Sequence, residues 1–444
     1  MTVLRIGAGA GFSGDRIEPA VDLAERGALD YLVFECLAER TIALAQQARR
    51  ADASAGYDPM LERRMRAVLP ACAAQGTRVI SNMGAANPLA AARKVRRIAD
   101  DLGLQRLKIA AVTGDDVLDA VLSDGILLDT GAPARDLGAR LISANAYVGA
   151  GPIVAALQAG ADVILTGRAA DPAMFLAPLV HTFGWAMDDW DRLGRGTVVG
   201  HLLECAGQIT GGYFADPGVK DVPDLAWLGF PLAEVSADGS AIITKLPGTG
   251  GRVTRATCAE QLLYEIHDPA RYTQPDVVAD FSGVTLQDDG PDRVRVSGGA
   301  GTPRTGTLKV SVGFDDGWMG EGQISYAGPG AEARGRLAID VVRDRIARYG
   351  PPVHDTRGEL IGVDAILGPT ARPGCSPREV RVRFAARCAS RDDAARIGEE
   401  VESLYLNGPS GGGGATRSVR QILGVASALI PETRVTPRVE MVET

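Results

Sequence analysis

The first 215 residues alternate short apolar or β-branched runs with amphipathic helical stretches, and this alternation constrains the fold more than any other feature. It specifies an α/β arrangement on a mostly parallel sheet. Strands are expected at Val3 to Ile6, Asp30 to Phe34, Arg78 to Ile80, Leu107 to Val112, Leu141 to Ser143 and Asp162 to Leu165. Helical periodicity fits Arg16 to Arg26, Ala38 to Arg49, Pro59 to Ala74, Pro88 to Leu102, Pro152 to Ala159 and Pro172 to Phe183. Several of these open with proline in the first turn, where a missing N–H costs nothing. From about residue 186 to 215 the pattern is helical again.

After that the character changes. Residues 216 to 330 carry alternating strand patterns broken by Asp238-Gly239 and Asp289-Gly290, which signal hairpins. Helical patterns return at about 331 to 349, 392 to 404 and 416 to 429, around an alternating stretch at Glu379 to Phe384. The expected organisation is an N-terminal Rossmann-like α/β domain over 1–215, with helices on both faces of its sheet. An α+β domain over 216–444, rich in antiparallel hairpins, is expected to follow.

Composition narrows the function. With 47 Lys plus Arg against 55 Asp plus Glu, a net charge of −8 and no basic tract, the chain lacks the clustered cationic surface that nucleic acids and anionic membranes select. No apolar run approaches the ~18 to 20 residues needed to span a bilayer, and the N-terminus enters Val3-Leu4-Arg5-Ile6 directly. The expectation is a cytoplasmic protein whose partners are small molecules or other proteins. Its six cysteines (Cys36, Cys72, Cys205, Cys258, Cys375, Cys388) are scattered singly, without Cys-x-x-Cys. Neither a disulfide scaffold nor a cysteine zinc site is expected.

Each predicted strand of the first half is apolar until its C-terminal end, where it delivers polar groups: Glu35, then Ser81-Asn82, Gly114-Asp115-Asp116, Asn145, and Gly167-Arg168 with Asp171. Parallel strands share a direction, so these ends belong on the sheet edge where such folds bind ligands. The opening Gly9-x-Gly11-x-x-Gly14 has dinucleotide spacing, with Phe12 inside the loop and Glu35 where a ribose-binding carboxylate would stand. Asp15, however, puts a negative charge where pyrophosphate would dock. The loop therefore reads as a cofactor turn, as a tight turn bringing substrate to backbone amides, or as structure alone.

Asp115 and Asp116 offer one acid/base carboxylate and one helix cap. His201 and Glu204, three apart on a predicted helix, share a face and form a carboxylate-oriented histidine or a plain hydrogen-bonded pair. No third ligand at a known spacing joins them, so no metal is expected. Thr210-Gly211-Gly212 is either an anion-binding nest or a turn. Lys245, before Gly248 to Gly251, is either an anion contact or a strand lysine.

The combination of Gly9 to Asp15, Leu37 to Thr41, Ser81-Asn82 with Asn87-Pro88, Gly114-Asp115-Asp116 and Asn145-Ala146-Tyr147 is joined by several later motifs. These are Gly160-Ala161-Asp162 with Gly167-Arg168 and Asp171, Gly200-His201 with Glu204, Thr210-Gly211-Gly212, Gln261 to Glu265 and Asn407-Gly408-Pro409. Together they resemble the acyclic terpene utilisation protein AtuA family over nearly the whole chain. The resemblance implies a bacterial catabolic setting, the degradation of citronellol- and geraniol-type compounds through acyl-CoA intermediates, and no family-wide reaction or catalytic residue.

The expected activity is a hydro-lyase or other C–C or C–O lyase acting on a branched or hydroxylated carboxylic acid or its CoA thioester. Its catalytic candidates are Asp115, Asp116, His201 and Glu204. Its substrate contacts are Gly9, Gly11, Phe12, Glu35, Asn82, Asn87, Asn145, Tyr147, Arg168, Asp171, Thr210, Gly211, Gly212 and Lys245. No cofactor is expected beyond CoA within the substrate. The alternatives are a nicotinamide- or flavin-dependent oxidoreductase using Gly9 to Gly14, and a non-catalytic thioester-binding subunit working with other catabolic enzymes. A homodimer or larger homo-oligomer is expected. The 55 glycines gather in Gly7 to Gly14, Gly149 to Gly151, Gly211-Gly212, Gly248 to Gly251, Gly298 to Gly301 and Gly408 to Gly414, which marks those loops for close backbone approach.

Overall fold

The computed structural model describes residues 3–370 and 377–442; Cys375 lies outside them. The chain divides into two compact units, residues 1–313 with 425–444, and residues 314–424.

The first unit is built on a ten-stranded mixed sheet. Its parallel centre contains β1 (Val3–Ala10), β2 (Tyr31–Phe34), β3 (Arg78–Ser81), β4 (Ile109–Thr113) and, after β5 (Leu141–Ala146), β6 (Val163–Thr166), in the order β1-β2-β3-β6-β4. These strands are nearly continuous apolar runs because both faces are covered, as parallel sheets require. Helices Glu18–Arg26, Leu61–Gln75 and Pro88–Asp101 pack together as one group, and Gly151–Gln158, Ala173–Phe183 and Trp190–Leu203 as another.

The α/β class read from the first half therefore holds. The strand order adds a difference of detail. In dinucleotide-binding folds the first strand lies between two parallel neighbours at the switch point. Here β1 has β2 on one side and antiparallel Pro231–Ser236 on the other.

The boundary expected near residue 215 falls inside this unit. Pro231–Ser236, Ala241–Lys245, Arg293–Ser297 and Thr285–Asp288 form hairpins, as their Asp-Gly turns predict, but they extend the same sheet outward from β1. On the far side Arg438–Val442 pairs antiparallel with β4. One predicted strand leaves the sheet: β5 pairs instead with the strand beginning at Thr307.

The second unit orders its strands Asp355–Ile361, Glu379–Cys388, the end of Thr307–Ala327 and the start of Gly413–Pro431. Helices Ala331–Tyr349 and Arg391–Glu402 pack on it, near where their periodicity places them. The helix expected over 416–429 is corrected to strand. Val419, Ile422 and Val425 mimic a helical spacing, yet Ala426, Ala428 and Ile430 are buried alternately, and sheet pairing decides the conformation.

At Gly149 to Gly151 the chain starts a helix whose leading amide, on Ala150, is accepted by both oxygens of buried Asp276 (3.0 and 2.9 Å). Burial pushes the Asp276 carboxyl up to about 6, against the opposing pull of the Ala150 amide and Arg304. The folded protein thus binds this proton more tightly than the unfolded chain. The resulting stabilisation is complete below about pH 4 and is lost as pH rises through about 6. Asp276→Asn is expected to remove that slope. Urea unfolding at pH 4.5 and 7.5 should show wild type losing about 2 kcal/mol more than the variant over this interval, and equal losses would contradict the assignment.

Candidate active site

The C-terminal edge of the parallel strands gathers the predicted polar groups around one guanidinium. Arg168 follows β6, and its side chain is only 1% exposed. Its backbone amide donates to Asp115 Oδ2 (2.9 Å), which fixes where the side chain leaves the sheet. The guanidinium then donates to the Leu37 carbonyl after β2 and to Asp171. It also stacks over the Tyr147 ring, with Cζ 4.1 Å from the centroid. Its Nε, though buried, has no hydrogen-bond partner.

Glu35, at the end of β2, accepts the Leu37 amide and Asn82 Nδ2 through Oε1, both at 2.9 Å; Asn82 Oδ1 accepts the Cys36 amide (2.7 Å). Asn82 therefore locks the end of β3 to the end of β2. The helix Trp190–Leu203 brings His201 and Glu204 to the same place. Gly200 makes this approach possible, because a Cβ there would stand 2.6 Å from the Pro172 carbonyl, next to Asp171. Gly11 does the same for the end of β1, where a Cβ would meet the Cys205 backbone at 2.6 Å. His201 Nδ1 bonds Glu204 Oε1 at 2.9 Å, while His201 Nε2 and Glu204 Oε2 are buried without partners. The imidazole packs against the rings of Tyr272 and Phe281, each centroid 5.5 Å away and the two rings 5.3 Å from each other, and Gln261 Nε2 holds the His201 carbonyl (3.0 Å).

Electrostatically the cluster carries more carboxylates than cations. Burial raises Glu35 well above the usual range, with Asp171 adding repulsion and Arg168 opposing both. Burial likewise lifts Asp171 to about 7 despite Arg168, because Glu204 and Glu39 repel its charge. Glu204 is raised by burial against the pull of His201. Glu39 goes the other way: burial acts against its charge, but the Tyr147 hydroxyl, its own backbone amide, Lys309 and Arg168 hold it at about 2. A carboxyl that titrates near neutrality, Asp171, in the same cluster as a carboxylate-held imidazole supplies the components of acid/base catalysis.

The remaining candidates divide. Asp115 accepts Asn145 Nδ2 (2.8 Å) as well as the Arg168 amide, and burial raises it to about 6. It positions Arg168. Asp116 accepts the Leu118 amide (3.4 Å) and Gln46 Nε2 (3.2 Å) and faces Arg49 (3.7 Å), so its carboxylate is engaged at the entry to Leu118–Asp124, whose N-cap is Val117. Asn145 is bonded on both sides, to Asp115 and Gln46.

Others lie away from the cluster. Asn87 caps the helix that begins at Pro88 and holds the Ala53 and Ala55 carbonyls. Lys245 bonds the Thr249 carbonyl (2.8 Å) and pairs with Asp292 (3.4 Å). Thr210 bonds the Gly207 and Gly229 carbonyls, and the Gly211 and Gly212 amides are taken by Gln208 and Gly207, which makes the segment a turn.

In the opening loop a Cβ at Gly9 would collide with the Phe34 ring, the Gly11 amide donates to Asp15 (3.0 Å), and Phe12 is exposed. The following helix starts only at Glu18. No helix N-terminus stands at Gly14 to receive a pyrophosphate.

Two members escaped the sequence reading. Glu39 opens the helix Glu39–Ala51 and follows Glu35 by four residues, which was its available signal. Lys309, 3.0 Å from Glu39, comes from a strand 270 residues further on, and nothing local announces it. Among the described residues no three or more His, Cys, Asp or Glu converge as a metal site would require.

A family model described as acyclic terpene utilisation family protein AtuA matches residues 4–441. No curated protein matches the chain.

Proposed function

The chain belongs to the acyclic terpene utilisation family AtuA, and from that premise we propose that it is an acid/base lyase acting on a branched or hydroxylated carboxylic acid or its CoA thioester. The observation that carries this reading is the His201–Glu204 pair, with Nδ1 fixed at 2.9 Å and Nε2 left unpartnered. A histidine whose tautomer is set by a carboxylate is prepared to move a proton at its other nitrogen.

In a hydro-lyase reaction His201 Nε2 removes the proton from the carbon next to the carbonyl. Glu204 stabilises the imidazolium so formed. Protonated Asp171 donates to the departing hydroxyl, which leaves as water as the carbon–carbon double bond forms. Asp171 is the suitable donor because it titrates near 7, and a third of its side chain is accessible. Arg168, held over Tyr147 between Leu37 and Asp171, supplies the positive field that a substrate carboxylate or an enolate oxygen needs. Asp115 and Asn145 keep Arg168 in place.

The dinucleotide alternative draws no support from the opening loop, whose Gly11 amide is occupied by Asp15. The test is incubation with a panel of hydroxy acids and acyl-CoAs, followed by mass spectrometry. Loss or gain of water, or cleavage of a carbon–carbon bond, supports the lyase reading. Hydride transfer dependent on an added nicotinamide would replace it.

A further inference from the structure

The two ends of the polar cluster differ in access. A third of the Asp171 side chain is accessible, but the His201 side chain is 1% exposed and its Nε2 is buried. An enclosed nitrogen cannot meet a substrate carbon, so the cover on the histidine side has to move.

One segment forms that cover, and it begins and ends on His201. Gln261, in the last turn of the helix Arg255–Leu263, donates from Nε2 to the His201 carbonyl (3.0 Å), and the Tyr272 ring lies against the imidazole. Between these anchors the backbone bonds to its own turns: the Tyr264 amide to Gln261, Ile266 to Leu263 and Arg271 to Asp268. A tie to the body comes from Phe281, whose amide donates to the Pro269 carbonyl (2.6 Å) and whose ring also packs on His201. At the far end Tyr272–Thr273 is a strand of only two residues. Leu262 and Ile266 rest half-buried on the core, while Leu263, Glu265, His267 and Asp268 face solvent. A segment with so little buried surface opens locally at low cost. Its middle lies close to the catalytic pair: beyond the burial that raises both, the Glu204 carboxyl and the Tyr272 hydroxyl feel the Glu265 charge.

The hinge is visible as backbone strain. The Ile266 amide returns to the Leu263 carbonyl (3.3 Å) around Tyr264 (φ −63°, ψ 123°) and Glu265 (φ 59°). This is the type II turn, which asks for glycine where Glu265 stands. A glutamate in that conformation is held there by its surroundings, and such strain gathers at segments that switch. The motif Gln261 to Glu265 thus joins an anchor on His201 to a strained turn.

We propose that residues 262–271 are a strap over the His201–Glu204 pair that opens about the Tyr264–Glu265 turn, lifting the Tyr272 ring from the imidazole and exposing Nε2. Its closure over a bound substrate would keep water from the reacting carbon. The inference rests on the lyase reading only for what His201 does once exposed; the opening is read without a substrate.

The probe is diethyl pyrocarbonate, which acylates an accessible imidazole nitrogen bearing a free lone pair, as Nε2 does while Nδ1 bonds Glu204. Modification of His201 is followed by peptide mass spectrometry against exposed His354 as internal reference. Glu265→Pro cannot take the positive φ and holds the turn open; Glu265→Gly takes it without strain and favours closure. Both are compared with Glu265→Gln, so that loss of the charge is common to all three. Modification of His201 should be at least about tenfold faster in the proline variant and slower in the glycine variant, because the rate follows the open fraction. His354 should react equally in all, and thermal midpoints show that each is folded. Equal His201 rates in the three variants would overturn the proposal. If the proline variant does not fold, the glycine variant decides alone, and unslowed modification overturns it. If the rates order as expected but no substrate is turned over, the strap stands and the lyase reading falls. If turnover depends on His201 while the rates are equal, the reverse holds.

Discussion

Arg168→Ala is expected to lower the unfolding free energy at pH 7 by about 3–5 kcal/mol, the range found when one partner of a buried ionic network is removed. The reason is local. Arg168 is the common counter-charge of Glu35, Glu39, Asp171 and Glu204, and three of these are already raised by burial with the guanidinium present. Without it the Leu37 carbonyl loses a donor, the Tyr147 ring loses its cation, and the carboxyls must take up protons or stay charged without a counter-ion. The loss should therefore shrink as pH falls from 8 to 5. Over that range Asp171, whose folded value is already about 7, can be neutralised by protonation instead of by arginine. Arg168→Lys keeps the charge but not the two-sided fork to Leu37 and Asp171, and should recover only part of the loss. Urea denaturation at the two pH values decides it. A variant within 1 kcal/mol of wild type at pH 8 would show that the guanidinium does not organise this edge.

His201→Gln is expected to reduce turnover by about 10²- to 10⁴-fold, the usual contribution of a positioned general base, while the protein remains folded. Glutamine retains a polar group against Tyr272 and Phe281 but cannot accept and return the proton. Glu204→Gln should cost less, since the histidine survives without its stabilising charge. Asp171→Asn should abolish the limb of the pH–rate profile near pH 7, where loss of the Asp171 proton removes the acid. Turnover of wild type would fall as pH rises through that value, and the variant would be slow at every pH. An unchanged profile in Asp171→Asn would move the acid role to Glu35 or Glu204.

Much of this site was legible because its residues follow from local rules. Parallel strands deliver their C-terminal ends to one edge, so Glu35, Asn82, Asp115 and Arg168 could be placed together from the apolar runs before them. The i, i+3 spacing put His201 against Glu204. What local rules do not contain is competition for partners. Sequence shows that Asp115 and Asp116 are adjacent, but not that Asn145 and the Arg168 amide take one while the helix at Leu118 takes the other. The Gly9 to Gly14 spacing is present, yet the Asp15 bond to Gly11 and the delayed helix start are tertiary outcomes. Lys309 reaches Glu39 across 270 residues, and the strand at Gly413–Pro431 takes its conformation from its neighbours in the sheet rather than from its own helical spacing.

The most direct test of the central claim is deuterium incorporation. A branched 3-hydroxy acid and its thioester are incubated in D2O with wild type, His201→Gln and, as a control outside the cluster, Asp276→Asn, and the carbon next to the carbonyl is followed by mass spectrometry. The account predicts exchange of that proton in wild type and the control, and its loss in His201→Gln. Equal exchange in His201→Gln and wild type would contradict it.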